Sequence, residues 1–146
     1  MDWVDLFTGF HGRISRRPFW IGVLVLLVAE SICQMAAHRI EGVRLGAIVD
    51  LAFSYPEFAV ALKRAHDRNL PTWLIAALFA GSVFLDFLAV IGVSTELGDT
   101  SDPNWIGVIT TLPLGVLSLI LLVDLGFRSG TKGPNRFGPD PLEHKV

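Results

Sequence analysis

Four stretches of the chain are almost unbroken in apolar side chains, at positions 19–37, 45–62, 73–93 and 105–127. Each is close to the roughly 20 residues that a helix needs to cross the hydrocarbon core of a bilayer at about 1.5 Å per residue. The pattern predicts four transmembrane helices. The second run is the shortest and contains Asp50, Pro56 and Glu57, so a tilted, broken or partly re-entrant segment is as compatible with it as a complete span. Ahead of the first run, Trp3, Leu6, Phe7 and Phe10 recur at helical spacing, with Asp2, Asp5 and Thr8 between them. That stripe predicts a short helix lying in the membrane interface, the alternative being a frayed terminus. Trp20, Trp73 and Trp105 stand at the starts of runs, where indole rings favour headgroup level.

Composition places the chain outside the soluble average: 146 residues, 51% of them hydrophobic, with a mean hydropathy of +0.53. The length is that of a single domain, 1–146, with a polar tail from 128 onward. The first run follows Arg13, Arg16 and Arg17 but is too long for a signal-peptide core, so it reads as a retained anchor. The single Cys33 lies within an apolar run and offers neither a disulfide framework nor a thiolate metal site. The expected architecture is an all-α integral membrane protein, a four-helix transmembrane bundle with a short N-terminal interfacial helix and a cytoplasmic polar cap.

A net charge of −2 gives no reason to expect a nucleic-acid partner, but it hides an asymmetry. All 12 lysines and arginines fall outside the apolar runs. Residues 1–18 carry Arg13, Arg16 and Arg17, the second connection carries Lys63, Arg64 and Arg68, and the tail carries Arg128, Lys132, Arg136 and Lys145. The opposite side has Arg39 and Arg44, with Glu96, Asp99 and Asp102 in its other connection. Positive charge gathers on the cytoplasmic side, so both termini are expected there. A GxxxG at Gly42 and Gly46 leaves a homo-oligomer open, although it sits at the edge of a span.

This threading brings three polar motifs to one face: GRISRRPFW at 12–20, KRAHDRN at 63–69 and GTKGPNRFGPDP at 130–141. Together they resemble the DUF805 family of small bacterial inner-membrane proteins. Its members share Gly-Arg-x-x-Arg before an aromatic, a basic pair followed by x-His-Asp, and a Gly-x-x-Gly-x-Asn-x-aromatic-Gly-x-Asp-Pro tail. The resemblance extends over nearly the whole chain and singles out Gly12, Arg13, Arg16, Phe19 and Trp20, then Lys63, Arg64, His66 and Asp67, then Gly130, Gly133, Asn135, Arg136, Phe137, Gly138, Asp140 and Pro141. It departs at Ala65 and at Pro71-Thr72. It implies a bacterial inner-membrane location and no defined activity or cofactor.

The cations can do one of two things. They can fix topology by resting at headgroups, or Arg13, Arg16, Arg17, Lys63, Arg64, His66, Asp67, Arg68, Asn135 and Arg136 can form a site for an anionic headgroup or a partner membrane protein. The glycine-rich tail, too rich in turn formers for a helix, is expected to dock as a lid, with Phe137 as its plug and Gly138 in a backbone conformation that few residues tolerate. It lacks the GxxxxGK[ST] of a phosphate loop. His66-Asp67 has the chemistry for proton transfer, but no histidine or cysteine has metal-ligand spacing, so neither a catalytic nor a metal residue is assigned.

Five acids lie within the apolar runs: Glu30, Asp50, Glu57, Asp86 and Asp124. Counting helical rise places Asp124 and Glu57 roughly 5–8 Å from the cytoplasmic end and the other three about 16–20 Å deep. The shallow pair is expected to meet arginines, with Glu57 and Arg64 seven residues apart on one face. The deep acids raise a proton or cation path as an alternative function. The leading expectation is a non-enzymatic accessory membrane protein that binds a partner or anionic lipid through its cap; an enzyme acting on a lipid phosphate is a further alternative.

Overall fold

The computed structural model describes residues 2–40, 43–91, 98–99, 102–103 and 105–143. Five helices carry the architecture: α1 (Trp3–Thr8), α2 (Arg16–Ile40), α3 (Val43–Asp67), α4 (Thr72–Val90) and α5 (Trp105–Phe127). A minimal antiparallel pairing of β1 (Gly98–Asp99) with β2 (Asp102–Pro103) precedes α5. α2 to α5 are each long and apolar enough to cross a membrane. α2 and α4 run away from the end where the polar motifs gather, and α3 and α5 return to it. Gly42, Glu96 and Lys145 lie outside the described residues, as do the last positions of the third apolar run.

α3 is an unbroken helix of 25 residues, so the second apolar run is neither broken nor re-entrant. Pro56 removes one backbone donor from its interior, and Pro113 does the same in α5, yet both helices continue. Helices that pack against neighbours in a membrane accommodate such a loss. α3 also overruns its apolar stretch: Lys63, Arg64, His66 and Asp67 form its last turn, where the sequence pattern had put a connecting loop. Burial explains the extension. From Ala59 to Asp67 almost every side chain of α3 is buried, including Arg64 at 0% exposure. A helix end surrounded in this way must satisfy its terminal carbonyls locally, and it does so from Ile14, from the turn at 68–70 and, at His66 and Asp67, from the tail.

The packed core lies at this same end. Phe19 of α2, Val60, Leu62 and Ala65 of α3, Ile75 of α4 and Leu125 of α5 form one buried cluster. Small residues at Ala59 and Ala65 let the helices approach, which matters because lipid offers no hydrophobic drive for helices to associate. α1 joins the core through Leu6, while Trp3 and Val4 stay exposed. Asp2 caps α1 by accepting from the amides of Val4 (2.9 Å) and Asp5 (3.3 Å). The helix is then fastened to α3 by Lys63, which donates to the Asp5 carboxylate at 3.0 Å, and by the Tyr55 hydroxyl on the Thr8 carbonyl at 2.9 Å. Trp20 holds α5, its indole N–H donating to the Gly126 carbonyl at 3.1 Å. A side chain at 126 would strike that ring.

Candidate functional site

Asp67 is the centre of the polar cap. Its Oδ1 accepts from Arg13 Nη2 at 3.0 Å and Nε at 3.2 Å, and its Oδ2 accepts from Arg64 Nη1. Its backbone carbonyl accepts from the amide (2.8 Å) and hydroxyl (3.0 Å) of Thr131. One residue thus binds two buried guanidinium groups and the entry of the tail.

The two arginines differ in what else they hold. Arg13 donates through Nη1 to the carbonyls of Gly133 (2.8 Å) and Gly138 (3.2 Å), and through Nη2 to that of Thr131 (2.6 Å). It threads the tail. Arg64 donates to the carbonyls of Leu125 (2.7 Å) and Arg128 (2.6 Å), the orphan acceptors at the C-terminal end of α5. It joins α3 to α5. With one carboxylate between two buried cations, the site carries a net positive charge, offset by at least five carbonyl dipoles that point into it.

The tail supplies its own turns. Asn135 donates to the His66 carbonyl and to the Thr131 hydroxyl, both at 2.9 Å, and accepts from the Phe137 amide at 2.9 Å. Gly138, at φ +139, adopts the conformation expected of it, and its amide and carbonyl pair with those of Asn135. Phe137 lies flat on the His66 ring, 3.9 Å between centroids at 10°. Arg136 covers its other face, 4.6 Å from the ring centre. Asp140 accepts from the amides of Leu142 and Gly133, both at 2.9 Å, and these donors hold its carboxyl below the usual range.

His66 is engaged at both nitrogens. Nδ1 lies 3.1 Å from the Gly12 carbonyl, which can only accept, so Nδ1 carries the proton; Nε2 faces the Thr72 hydroxyl at 3.5 Å. Arg68 pairs with Asp124 at 3.3 Å and caps the Ser129 carbonyl, and Arg128 reaches the same carboxylate at 2.8 Å. Around this knot lies an outer set of cations. Arg16 is exposed and makes one bond, to the Phe127 carbonyl at 3.2 Å. Arg17 and Lys132 are exposed and have no protein partner among the described residues.

The intramembrane acids fall into different groups from those that simple depth implies. Glu57 does not meet Arg64. Two helical turns, about 10 Å of rise, separate them, and the guanidinium is committed to Asp67 and α5. Glu57 instead shares the lining of one cavity with Glu30 of α2. Asp50 is bound by the Gln34 amide, which donates as well to the Gly46 carbonyl at 3.1 Å. Asp86 stands one helical turn beyond Ser82 on α4, farther from the cap. Among the described residues, no three histidine, cysteine or acidic side chains converge as metal ligands. Sequence reasoning gave no site role to Asp5, Thr131 or Gln34. The Thr131 and Gln34 contacts span helices or join the tail to a helix, and no motif spacing announces them.

Four apolar helices clasped at one end by a polar knot of three sequence-distant segments define a small polytopic membrane protein. The chain belongs to the family described as "Protein of unknown function (DUF805)", whose pattern it matches over residues 7–139. It is similar to the uncharacterised protein YiiR of Escherichia coli K12, with 28% identity across 93% of this chain and 88% of that protein. It is also similar to the inner membrane protein YhaH of the same organism, with 24% identity across 97% of both chains. No solved structure matches it.

Proposed function

We propose that this chain is a non-enzymatic, multi-pass protein of a bacterial inner membrane, with both termini cytoplasmic. In this reading an inner polar knot locks the bundle, and the outer cations seat it on anionic headgroups as a small accessory component of a membrane assembly. The observation that carries the reading is the division of the cap cations. Arg13, Lys63 and Arg64 have side chains no more than 1% exposed and are held by protein acceptors. Arg17 and Lys132 face outward without a protein partner among the described residues, where Arg16 makes one bond. Cations at a membrane surface each attract anionic lipid by about 1 kcal/mol. The inner-membrane name of YhaH and the excess of positive charge at the cap end support the location and orientation.

An activity on a lipid phosphate is less well supported, because His66, Arg13 and Arg64 are all sealed within the knot. Transport has one observation in its favour, the carboxyls of α2 and α3 that line one cavity.

Native mass spectrometry of the protein in lipid particles tests the headgroup reading. Anionic lipid should remain bound to the wild-type chain and be lost from the Arg17→Gln/Lys132→Gln variant, whose knot is untouched. Equal retention by both would reject it, and a stoichiometric protein partner released by the variant would identify the rim as a protein interface.

A further inference from the structure

A cavity of about 370 Å³ lies between α2, α3, α4 and α5, directly beneath the cap. Its size is within the range of small-molecule sites. Its walls are segregated. Near the cap they are purely apolar, with Phe19, Val23, Leu122 and Leu125 among them. The polar side chains in the lining are Glu30, Glu57, Ser82 and Ser118, one from each helix. Since α2 and α4 run away from the cap and α3 and α5 toward it, each of these is the lining residue farthest from the cap on its own helix. The chamber therefore has an apolar body and a polar end away from the cap, and that end is acidic, with no cation in the lining.

The polar end has a charge requirement. Glu30 and Glu57 both line it, and two carboxylates facing one enclosed space cannot both stay ionised unless a cation lies between them. The carboxyls do not converge as ligands of a bare metal ion, among the described residues. Farther from the cap the Gln34 amide donates to the Asp50 carboxylate and to the Gly46 carbonyl, so polar side chains of α2 and α3 continue beyond the carboxyl pair.

We infer that this cavity binds a lipophilic ammonium ion, its apolar body under the cap and its N–H groups on Glu30 and Glu57. The inference is independent of the headgroup reading, since no cap cation touches the chamber. An apolar tail alone would fill the walls and leave the carboxyl pair to share a proton, whereas an ammonium head supplies both a countercharge and hydrogen-bond donors.

The test is equilibrium binding of labelled decylammonium to the full chain in zwitterionic lipid nanodiscs, with empty nanodiscs subtracted and neutral decanol as the counterpart. Decylammonium should saturate at one per chain and bind at least about tenfold more tightly than decanol, as charge-assisted hydrogen bonds imply. Glu30→Gln/Glu57→Gln should abolish that preference. Leu122→Trp, which fills the apolar chamber and keeps both carboxyls, should weaken decylammonium binding, and it decides the matter if the double variant does not fold. Equal binding of amine and alcohol would show a chamber for acyl chains only and overturn the inference. So would decylammonium binding that neither variant changes.

Discussion

Gly130 lies against the carboxylate of Asp67 so closely that a methyl group at position 130 would overlap both carboxylate oxygens. The obstacle is the buried anion that holds Arg13 and Arg64, not a flexible side-chain end, so the contact cannot relax cheaply. Gly130→Ala should undock the tail at a cost of about 1–3 kcal/mol, the usual penalty for overpacking. Limited proteolysis should then cut the chain after α5 at protease levels that leave the wild type intact.

Asp67 itself is worth more. Removing its charge leaves two buried guanidinium groups facing each other with only carbonyl dipoles for compensation. Asp67→Asn should destabilise the protein by about 3–5 kcal/mol, in the range seen when one partner of a buried ion pair is deleted. Denaturant-induced unfolding in detergent measures it. Lys63→Met should cost less, because its Asp5 partner is 62% exposed and can turn to water.

The turn at the end of the tail has a defined pH response. The Asp140 carboxyl is held below its ordinary value by the amides of Leu142 and Gly133. A depressed folded value means that the contribution is complete above the unfolded value, about 3.9, and is lost as pH falls through the folded one. Hydrogen exchange at Gly133 and Leu142, corrected for intrinsic rates, should therefore show constant protection from neutral pH down to about pH 4 and loosening only below it. In Asp140→Asn the loosening should be present at neutral pH.

Asn135 closes the tail through three hydrogen bonds, two of them reaching His66 and Thr131. Asn135→Ala removes them together and should cost about 1–3 kcal/mol. The flat stacking of Phe137 on His66 should fail with it, and the histidine ring signals in an NMR spectrum, shifted by the aromatic ring, should move toward their free positions.

Orientation can be read with a single thiol. In a Cys33→Ser background, Lys132→Cys should react with a membrane-impermeant maleimide in inside-out vesicles and stay unlabelled in intact spheroplasts. Labelling in spheroplasts would place the cap outside.

The sequence determined the helices because their signals are local. A run of about 20 apolar residues crosses a bilayer wherever its neighbours lie. The same holds for the tail, where glycine, proline and asparagine dictate turns residue by residue, and Gly138 takes the conformation expected of it. Residues 63–67 were misplaced as a loop because helix ends are set by partners, and those partners are Asp5, Gly12 and the tail, far away in the chain. The pairing of acids was decided only by tertiary structure. Glu57 and Arg64 share a helical face in the sequence, yet Arg64 turns to Asp67 and α5 while Glu57 lines a cavity with Glu30, because a buried cation follows the acceptors around it rather than its helical register. Asp67 and Arg13 show the same division: their residue types were legible, but which of the cap cations would be buried and which left at the surface depended on how four helices and a tail close over one carboxylate.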